Sequence, residues 1–341
     1  MLSLVPTSQD LYTAAALLKK ARLVAMPTET VYGLAADAFE PTAIVKIFDA
    51  KERPRFDPLI VHLPVGPPED VLRTLVVLDD YAPRGKEAVT TLTRVFWPGP
   101  LTLVLPRSNA VPDLVTSGKP TVAVRMPAHP TTQALLKAFG GPLVAPSANR
   151  FGSISPTTAD AVRAELDGRI DAVVDAGPTP LGVESTVLAV DPDGTLRLLR
   201  PGALPVEDIE AVAGPVVRQA PLSVGERPEA PGQLSRHYAP GTPLTLVDDL
   251  TKPLVGAPPC VGLLRVLGPV EEAQAAYEAQ GHTVVIARSL SASTLTEAAQ
   301  RLFAVLRELD ESTAEALIAE RCPSHVGLGH AIADRLERAA R

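Results

Sequence analysis

Residues 121–167 read TVAVRMPAHPTTQALLKAFGGPLVAPSANRFGSISPTTADAVRAELD. The run 121–126 is short and apolar apart from Arg125, which suits a buried strand. A helical pattern covers 130–139, a second apolar run lies at 143–145, and a second helical pattern covers 156–167. Strand and helix patterns alternating at this spacing indicate an α/β fold. The alternation continues on both sides, with strand-like runs at 22–26, 59–63, 101–105, 171–175 and 185–190 and helical patterns at 41–50 and 84–96. Ser8 can cap a first helix running to about Ala21, with Leu11, Ala14, Leu17 and Leu18 on its apolar face. Asp191-Pro-Asp-Gly194 separates STVLAV from TLRLLR and reads as a hairpin turn, so the sheet is expected to be mixed.

The 341 residues suggest two domains at ~100–200 residues each. Proline, at 35 residues, is densest over 215–243, PVVRQAPLSVGERPEAPGQLSRHYAPGTP, which has neither a helical nor an alternating apolar period. This segment is expected to be a linker between a domain at 1–214 and another at 244–341. In the latter, strands at 244–248, 260–266, 282–287 and 314–319 alternate with helices near 270–280, 294–311 and 328–340, implying a small parallel, Rossmann-like sheet. It carries no G-x-G-x-x-G, so the rhythm assigns it no dinucleotide.

The formal net charge of −7 and an aromatic content of 4% count against a nucleic-acid binder built on a basic face or a stacking platform. Residues 51–150 nevertheless carry 12 Lys+Arg against 8 Asp+Glu, a local excess of four positives that suits a small anion. Two cysteines, Cys260 and Cys322, make no disulfide framework, and a cytoplasmic protein is expected. No targeting segment is expected, since the first apolar run, Leu11 to Leu18, contains Tyr12 and Thr13 and ends at Lys19-Lys20, and no membrane span, since Pro258, Pro259, Arg265 and Pro269 interrupt the apolar stretch 254–270.

Four segments combine polar side chains with strand ends and turns, where sites in α/β folds lie. Pro27-Thr-Glu-Thr-Val-Tyr-Gly33 could hold a polar ligand through hydroxyls and a carboxylate, or simply be a capped turn. Lys51, Arg53 and Arg55 fall within five residues of a proline-stiffened loop, which matches phosphate chemistry or an ordinary solvated charge run. Ala145-Pro-Ser-Ala-Asn-Arg150, with Gly152, Ser153 and Ser155, could cradle an anion on backbone N–H groups. Glu184-Ser-Thr186 and Leu199-Arg-Pro-Gly202 form the outer parts of the hairpin. Arg125 demands an anionic partner or ligand. Cys322, His325 and His330 could ligate a metal, but the glycines and amphipathic helix there explain the segment, and no metal site is expected. Composition and spacing alone reach an anion-binding α/β enzyme.

Taken in order, MPTETVYGLAADA, IFDAKERPRFDPLIVHL, WPGPLTLVL, TVAVRMP, APSANRFGSISPT, GVESTVLAV and LRLLRPG resemble the YrdC-like family in its long, two-domain threonylcarbamoyl-AMP synthase form. APGQLSRHYAP and GLGHAIADRLERAA resemble its extra domain. The resemblance implies a twisted open mixed sheet with flanking helices around a basic cleft. It also implies conversion of L-threonine, bicarbonate or CO2 and ATP into threonylcarbamoyl-AMP and pyrophosphate, with Mg²⁺ carried by the nucleotide. The product would pass to a separate tRNA threonylcarbamoyl transferase complex, with at most a weak tRNA contact, and a monomer is expected. Carried over, Thr30, His62, Arg125, Ala145 and Ser185 surround threonine; Arg53, Asp57, Thr121, Ser147, Ser155 and Arg200 hold the nucleotide. Lys51 and Arg53 serve the reacting phosphates, and Tyr238 forms part of a lid. Asp57 stands where the family usually has asparagine, and a carboxylate there repels phosphate unless it binds Mg²⁺ or pairs with Arg53 or Arg55. A silent structured-RNA binder or a carbamoyltransferase of the same fold are the alternative readings.

Overall fold

The computed structural model describes residues 1–218, 228–233 and 237–341. The chain divides into two compact units, the first comprising 1–151, 156–180 and 184–234 and the second 152–155, 181–183 and 235–341. Parts of the expected 215–243 linker, residues 219–227 and 234–236, lie outside the described residues.

The first unit runs β1 (Leu2–Leu4), α1 (Ser8–Lys19), β2 (Val24–Met26), β3 (Gly33–Asp37), α2 (Pro41–Lys51), β4 (Ile60–His62), α3 (Pro68–Leu72), α4 (Pro83–Phe96), β5 (Leu101–Pro106), α5 (Asp113–Thr116), β6 (Thr121–Arg125), α6 (Pro130–Phe139), β7 (Leu143–Val144), α7 (Ala159–Leu166), β8 (Ala172–Val174), β9 (Thr186–Val190), β10 (Leu196–Arg200), α8 (Val206–Ala213) and β11 (Val216–Arg218). The hydroxyl of Thr7, not Ser8, caps α1 by accepting from Asp10 N. Ser8 is already inside the first turn. β9 and β10 pair antiparallel across the Asp191–Gly194 turn, as the sequence implied. β1, β3, β11 and the short helices α3, α5 and α8 lie in stretches whose periods are too short or too mixed to stand out.

The described strands form one mixed sheet in the order β1-β8-β2-β3-β7-β4-β6-β5-β9-β10-β11. Its central strands bury both faces, so they read as continuous apolar runs. On one face Val61, Val122, Val124, Leu101, Leu103, Leu105, Leu188 and Val190 enter the main core. On the other, α1 and α6 cover β2, β3, β7 and β8 through Leu11, Leu18, Leu135 and Leu136. Beyond those helices the same face carries a small-residue floor, Ile60, Val104, Ala123, Val187 and Ala189, joined by Ala230 from residues 228–233.

The second unit contains β12 (Leu244–Val247), β13 (Cys260–Leu267), α9 (Glu271–Ala279), β14 (Thr283–Ser291), α10 (Leu295–Asp310), β15 (Ala316–Glu320) and α11 (Leu328–Ala339), each close to its sequence-based position. Its four strands pair in parallel in the order β12-β15-β13-β14. Among the described residues no helix is long and apolar enough to cross a membrane.

Candidate functional site

Strand register alone lines up the polar residues of the first unit. His62 on β4 sits opposite Arg125 on β6, Arg125 opposite Thr102 on β5, Thr102 opposite Val187 on β9, and Val187 opposite Arg200 on β10. Side chains on a strand alternate between faces. Thr121 and Arg125 therefore share the face of Ala123, and Thr102 that of Val104. The polar row lies across the face that α1 and α6 leave clear.

Arg125 anchors one end of it. Its Nε donates to Gly99 O at 3.2 Å and its Nη1 to Thr30 Oγ1 at 2.9 Å, while Nη2 lies 2.6 Å from Glu29 Oε1. Gly99 follows the cis Trp97–Pro98 bond, and its N–H donates back to Met126 O. Thr30 is set by Thr28, whose hydroxyl lies 2.8 Å from the Thr30 hydroxyl and donates to Val31 O. Burial raises the Glu29 carboxyl, but the Arg125 charge together with hydrogen bonding from Arg125 and from the Ala128 and Glu29 backbone holds the group below the usual carboxylate range. Burial, with Arg125 beside it, pushes the His62 imidazole down to about 3, so the ring is neutral. Ala145 N donates to Ile60 O, which seats this residue beside β4.

Ser185 connects this end to Arg200. Thr102 Oγ1 and Ser185 Oγ are 2.8 Å apart, and Arg200 Nη2 donates to Ser185 O at 2.9 Å and to its Oγ at 3.2 Å. Arg200 Nη1 also donates to Pro231 O. Gly202 allows this approach: a Cβ there would fall 2.3–2.4 Å from Ser185 C, Glu184 O and Thr186 N.

The remaining cations come from the end of α2. Glu52 terminates that helix in the left-handed region, at φ 54°, and Arg53 N donates to Phe48 O, which turns Lys51 and Arg53 inward. Lys51 Nζ donates to Ser147 O and Asn149 O. Ser147 itself bridges to Gly33. Arg53 Nη2 meets Asp57 Oδ2 at 2.8 Å and donates to Pro58 O at 2.8 Å. Burial, with Arg53 nearby, drives the Lys51 ammonium well below its ordinary range. Burial raises the Asp57 carboxyl against the opposing charges of Arg53, Lys51 and Arg200. Arg55 is exposed.

The structure therefore gathers Thr30, His62, Arg125, Ala145, Ser185, Lys51, Arg53, Asp57, Thr121, Ser147 and Arg200 within the first unit. Ser155 and Tyr238 belong to the second. There Tyr238, at φ 63°, packs against Phe303 at 5.6 Å between ring centroids and under the Arg335 guanidinium. Thr102 was missed by the sequence reading, although a lone hydroxyl in the apolar run LTLVL is a signal of the same kind as Arg125. Glu29 is the carboxylate that the 27–33 segment offers a polar ligand, and the structure pairs it with Arg125. Among the described residues no three His, Cys, Asp or Glu side chains assemble a metal site; the His325 and His330 rings are 6.2 Å apart.

Buried cations facing buried hydroxyls suit a polyanionic substrate, and similarity to known proteins narrows the choice. Residues 16–202 match the family described as Telomere recombination, and residues 204–341 match Threonylcarbamoyl-AMP synthase, C-terminal domain. A Bacillus subtilis (strain 168) protein named threonylcarbamoyl-AMP synthase is 42% identical over 336 residues, 96% of this chain and 92% of the relative. The chain belongs to the threonylcarbamoyl-AMP synthase family. A Pyrococcus abyssi synthase of the same name is 38% identical over 339 residues, 96% of this chain and 93% of the relative. The crystal structure of P. abyssi Sua5 complexed with L-threonine matches with a TM-score of 0.84 at 34% identity, covering 99% of this chain and 97% of that one. The expected family, two-domain α/β fold and synthase activity are borne out, and the activity is that of an ATP-using enzyme that forms threonylcarbamoyl-AMP.

Proposed function

We propose that the polar row on the first unit's sheet binds L-threonine around Arg125, and that Arg200 with Lys51 and Arg53 from the end of α2 binds ATP. The observation that carries this division is the placement of four buried basic side chains in two groups: Arg125, held by Thr30 and Glu29, and Lys51, Arg53 and Arg200, whose charges all act on Asp57. Thr30, His62, Ala145 and Ser185 would surround the amino acid with Arg125 on its carboxylate. Arg53, Thr121, Ser147 and Arg200 would hold the nucleotide, with Asp57 adjusting Arg53.

The α-ammonium of threonine loses a proton to solvent, and the free amine adds to CO2 with release of a second proton, or to bicarbonate with loss of water, giving a carbamate. A carbamate oxygen then bonds to the α-phosphorus as the bond to the bridging oxygen breaks, and pyrophosphate leaves with that electron pair. Carbamate, carboxylate and triphosphate repel one another, so preorganised cations lower the barrier by positioning and charge stabilisation. Lys51 and Arg53 are assigned to the reacting phosphates. Glu29 and Asp57 are each committed to an arginine, at 2.6 and 2.8 Å, so Mg²⁺ fits this chain as a passenger of the triphosphate, supplying neutralisation of its charge. The product would leave for a separate tRNA-modifying transferase from a monomeric, cytoplasmic enzyme. The domain boundaries at 214 and 244 stand as part of the same proposal.

The test is pyrophosphate release from ATP and bicarbonate with and without L-threonine, followed by mass analysis of the nucleotide product. Threonine-dependent release with a threonylcarbamoyl-AMP mass is expected. Release that ignores threonine overturns the reading.

A further inference from the structure

Glu29 is buried, ionised and in contact with the arginine assigned to the substrate carboxylate, yet neither of its oxygens accepts an aligned hydrogen bond. An ionised carboxylate kept from water in this way is costly unless something else completes its shell. Arg125 is not enough: one of its nitrogens faces Gly99 O, one faces Thr30 Oγ1, and only Nη2 approaches Glu29. The Ala128 and Glu29 backbone N–H groups and Arg125 Nη2 approach the carboxylate without full alignment, so it keeps accepting capacity for a further donor.

We propose that Glu29 receives the α-ammonium of the amino-acid substrate while Arg125 receives its carboxylate, an inference that rests on the threonine-binding reading above. The two charged groups of an α-amino acid share one carbon, so a carboxylate seated on Arg125 brings the ammonium close to the guanidinium's partner. The Glu29–Arg125 pair is neutral overall, as is the incoming zwitterion, and the two arrange head to tail so that each charge meets its opposite. His62 is neutral, and Thr30, Thr102 and Ser185 carry no charge, so they do not supply this counter-charge. Once the amine becomes a carbamate, the same carboxylate repels it. The new anion is thereby turned away from Glu29, and the cations Lys51, Arg53 and Arg200 are where it is stabilised.

The test compares L-threonine with 3-hydroxybutanoate, which keeps the carboxylate and hydroxyl but lacks the amine, in wild type and Glu29→Gln. The readouts are KM for threonine and the competitive inhibition constant of 3-hydroxybutanoate in the pyrophosphate assay. Glu29→Gln should raise the threonine KM roughly tenfold or more, as expected for loss of a charge-assisted hydrogen bond. Inhibition by 3-hydroxybutanoate should stay unchanged or tighten, because the carboxylate that competes with the ligand for Arg125 is gone. Equal weakening of both ligands would show that Glu29 acts only by positioning Arg125, and no weakening of either would remove it from the site; both overturn the proposal. Should Glu29→Gln fail to fold, Glu29→Asp keeps the charge but retracts it. That variant should weaken threonine several-fold more than 3-hydroxybutanoate, and equal weakening overturns the proposal. Wild-type protein lacking threonine-dependent release would instead refute the site reading itself, before any variant is compared.

Discussion

Arg53 and Asp57 are four residues apart, both buried, and joined at 2.8 Å between Nη2 and Oδ2. Arg53 also holds the carbonyls of Asp57 and Pro58, so this ion pair closes the 53–58 loop on itself. The carboxylate that should repel phosphate is thus neutralised within the loop. Of the ways to accommodate Asp57, the structure uses Arg53 and leaves Arg55 exposed. Asp57→Asn keeps an acceptor for Arg53 but removes the negative charge. The variant should bind ATP several-fold more tightly, seen as a lower ATP KM. It should also lose about 1–3 kcal/mol of stability in urea titration, because a charge-assisted bond becomes a neutral one.

Arg125→Ala should separate the two substrates. The substitution deletes the carboxylate partner and strands Glu29 as a buried, uncompensated charge. The threonine KM should rise about 100-fold, since a charge-assisted contact to the carboxylate is lost, while the ATP KM changes about twofold or less. Equal loss for both substrates would mean that Arg125 serves the whole row. Arg125→Lys should not rescue threonine use, because one ammonium cannot reach Gly99 O, Thr30 Oγ1 and Glu29 together.

Much of this arrangement was legible in the sequence because the elements repeat one simple signal. Runs such as 101–105 and 121–126 lie in strands buried on both faces, so their apolarity was continuous and their boundaries sharp. Arg125 stood out for the same reason, as the one charge in such a run. Glu29 did not, since acidic residues are ordinary in a turn and only the fold brings this one to Arg125. Thr102 was hidden because its partner Ser185 is 83 residues away and reaches it through the β5–β9 register. β3, Gly-Leu-Ala-Ala-Asp, has no β-branched or aromatic residue and gave no strand signal; it forms because β2 and β7 pair with it. The behaviour of residues 228–233 was equally invisible: proline density predicts a linker, but Ala230 packs on the site floor and Glu229 pairs with Arg197 at 3.2 Å.

Gly202 ties the end of β10 to Ser185 by direct backbone approach. A methyl group there would meet three backbone atoms of 184–186 at 2.3–2.4 Å, none of which can rotate away. Gly202→Ala should cost about 1–3 kcal/mol by overpacking and should displace Ser185 from Thr102. The expected kinetic consequence is a fall in kcat/KM for threonine larger than the stability loss alone would cause at assay temperature. Unaltered kinetics in the folded variant would mean that Ser185 does not need its present position.

His62 gives the acid limb of stability a specific source. Burial and the neighbouring Arg125 push its pKa from the ordinary 6.5 to about 3. Between those two values the unfolded chain binds a proton that the folded one refuses, so stability falls as pH falls through this window. Each pH unit is worth about 1.4 kcal/mol, so roughly 2–3 kcal/mol should be lost between pH 6.5 and 4.5 through this residue alone. His62→Asn removes the titration, and its stability curve should be flatter than that of wild type over the same range by that amount. The difference between the two proteins isolates His62 from the carboxylates that titrate in both. Trp97, the single tryptophan of the chain, is buried in the first unit, so its fluorescence during urea unfolding follows the domain that contains His62. Parallel curves for the two proteins would show that the imidazole accepts its proton without unfolding, in a site more open to water than the structure shows.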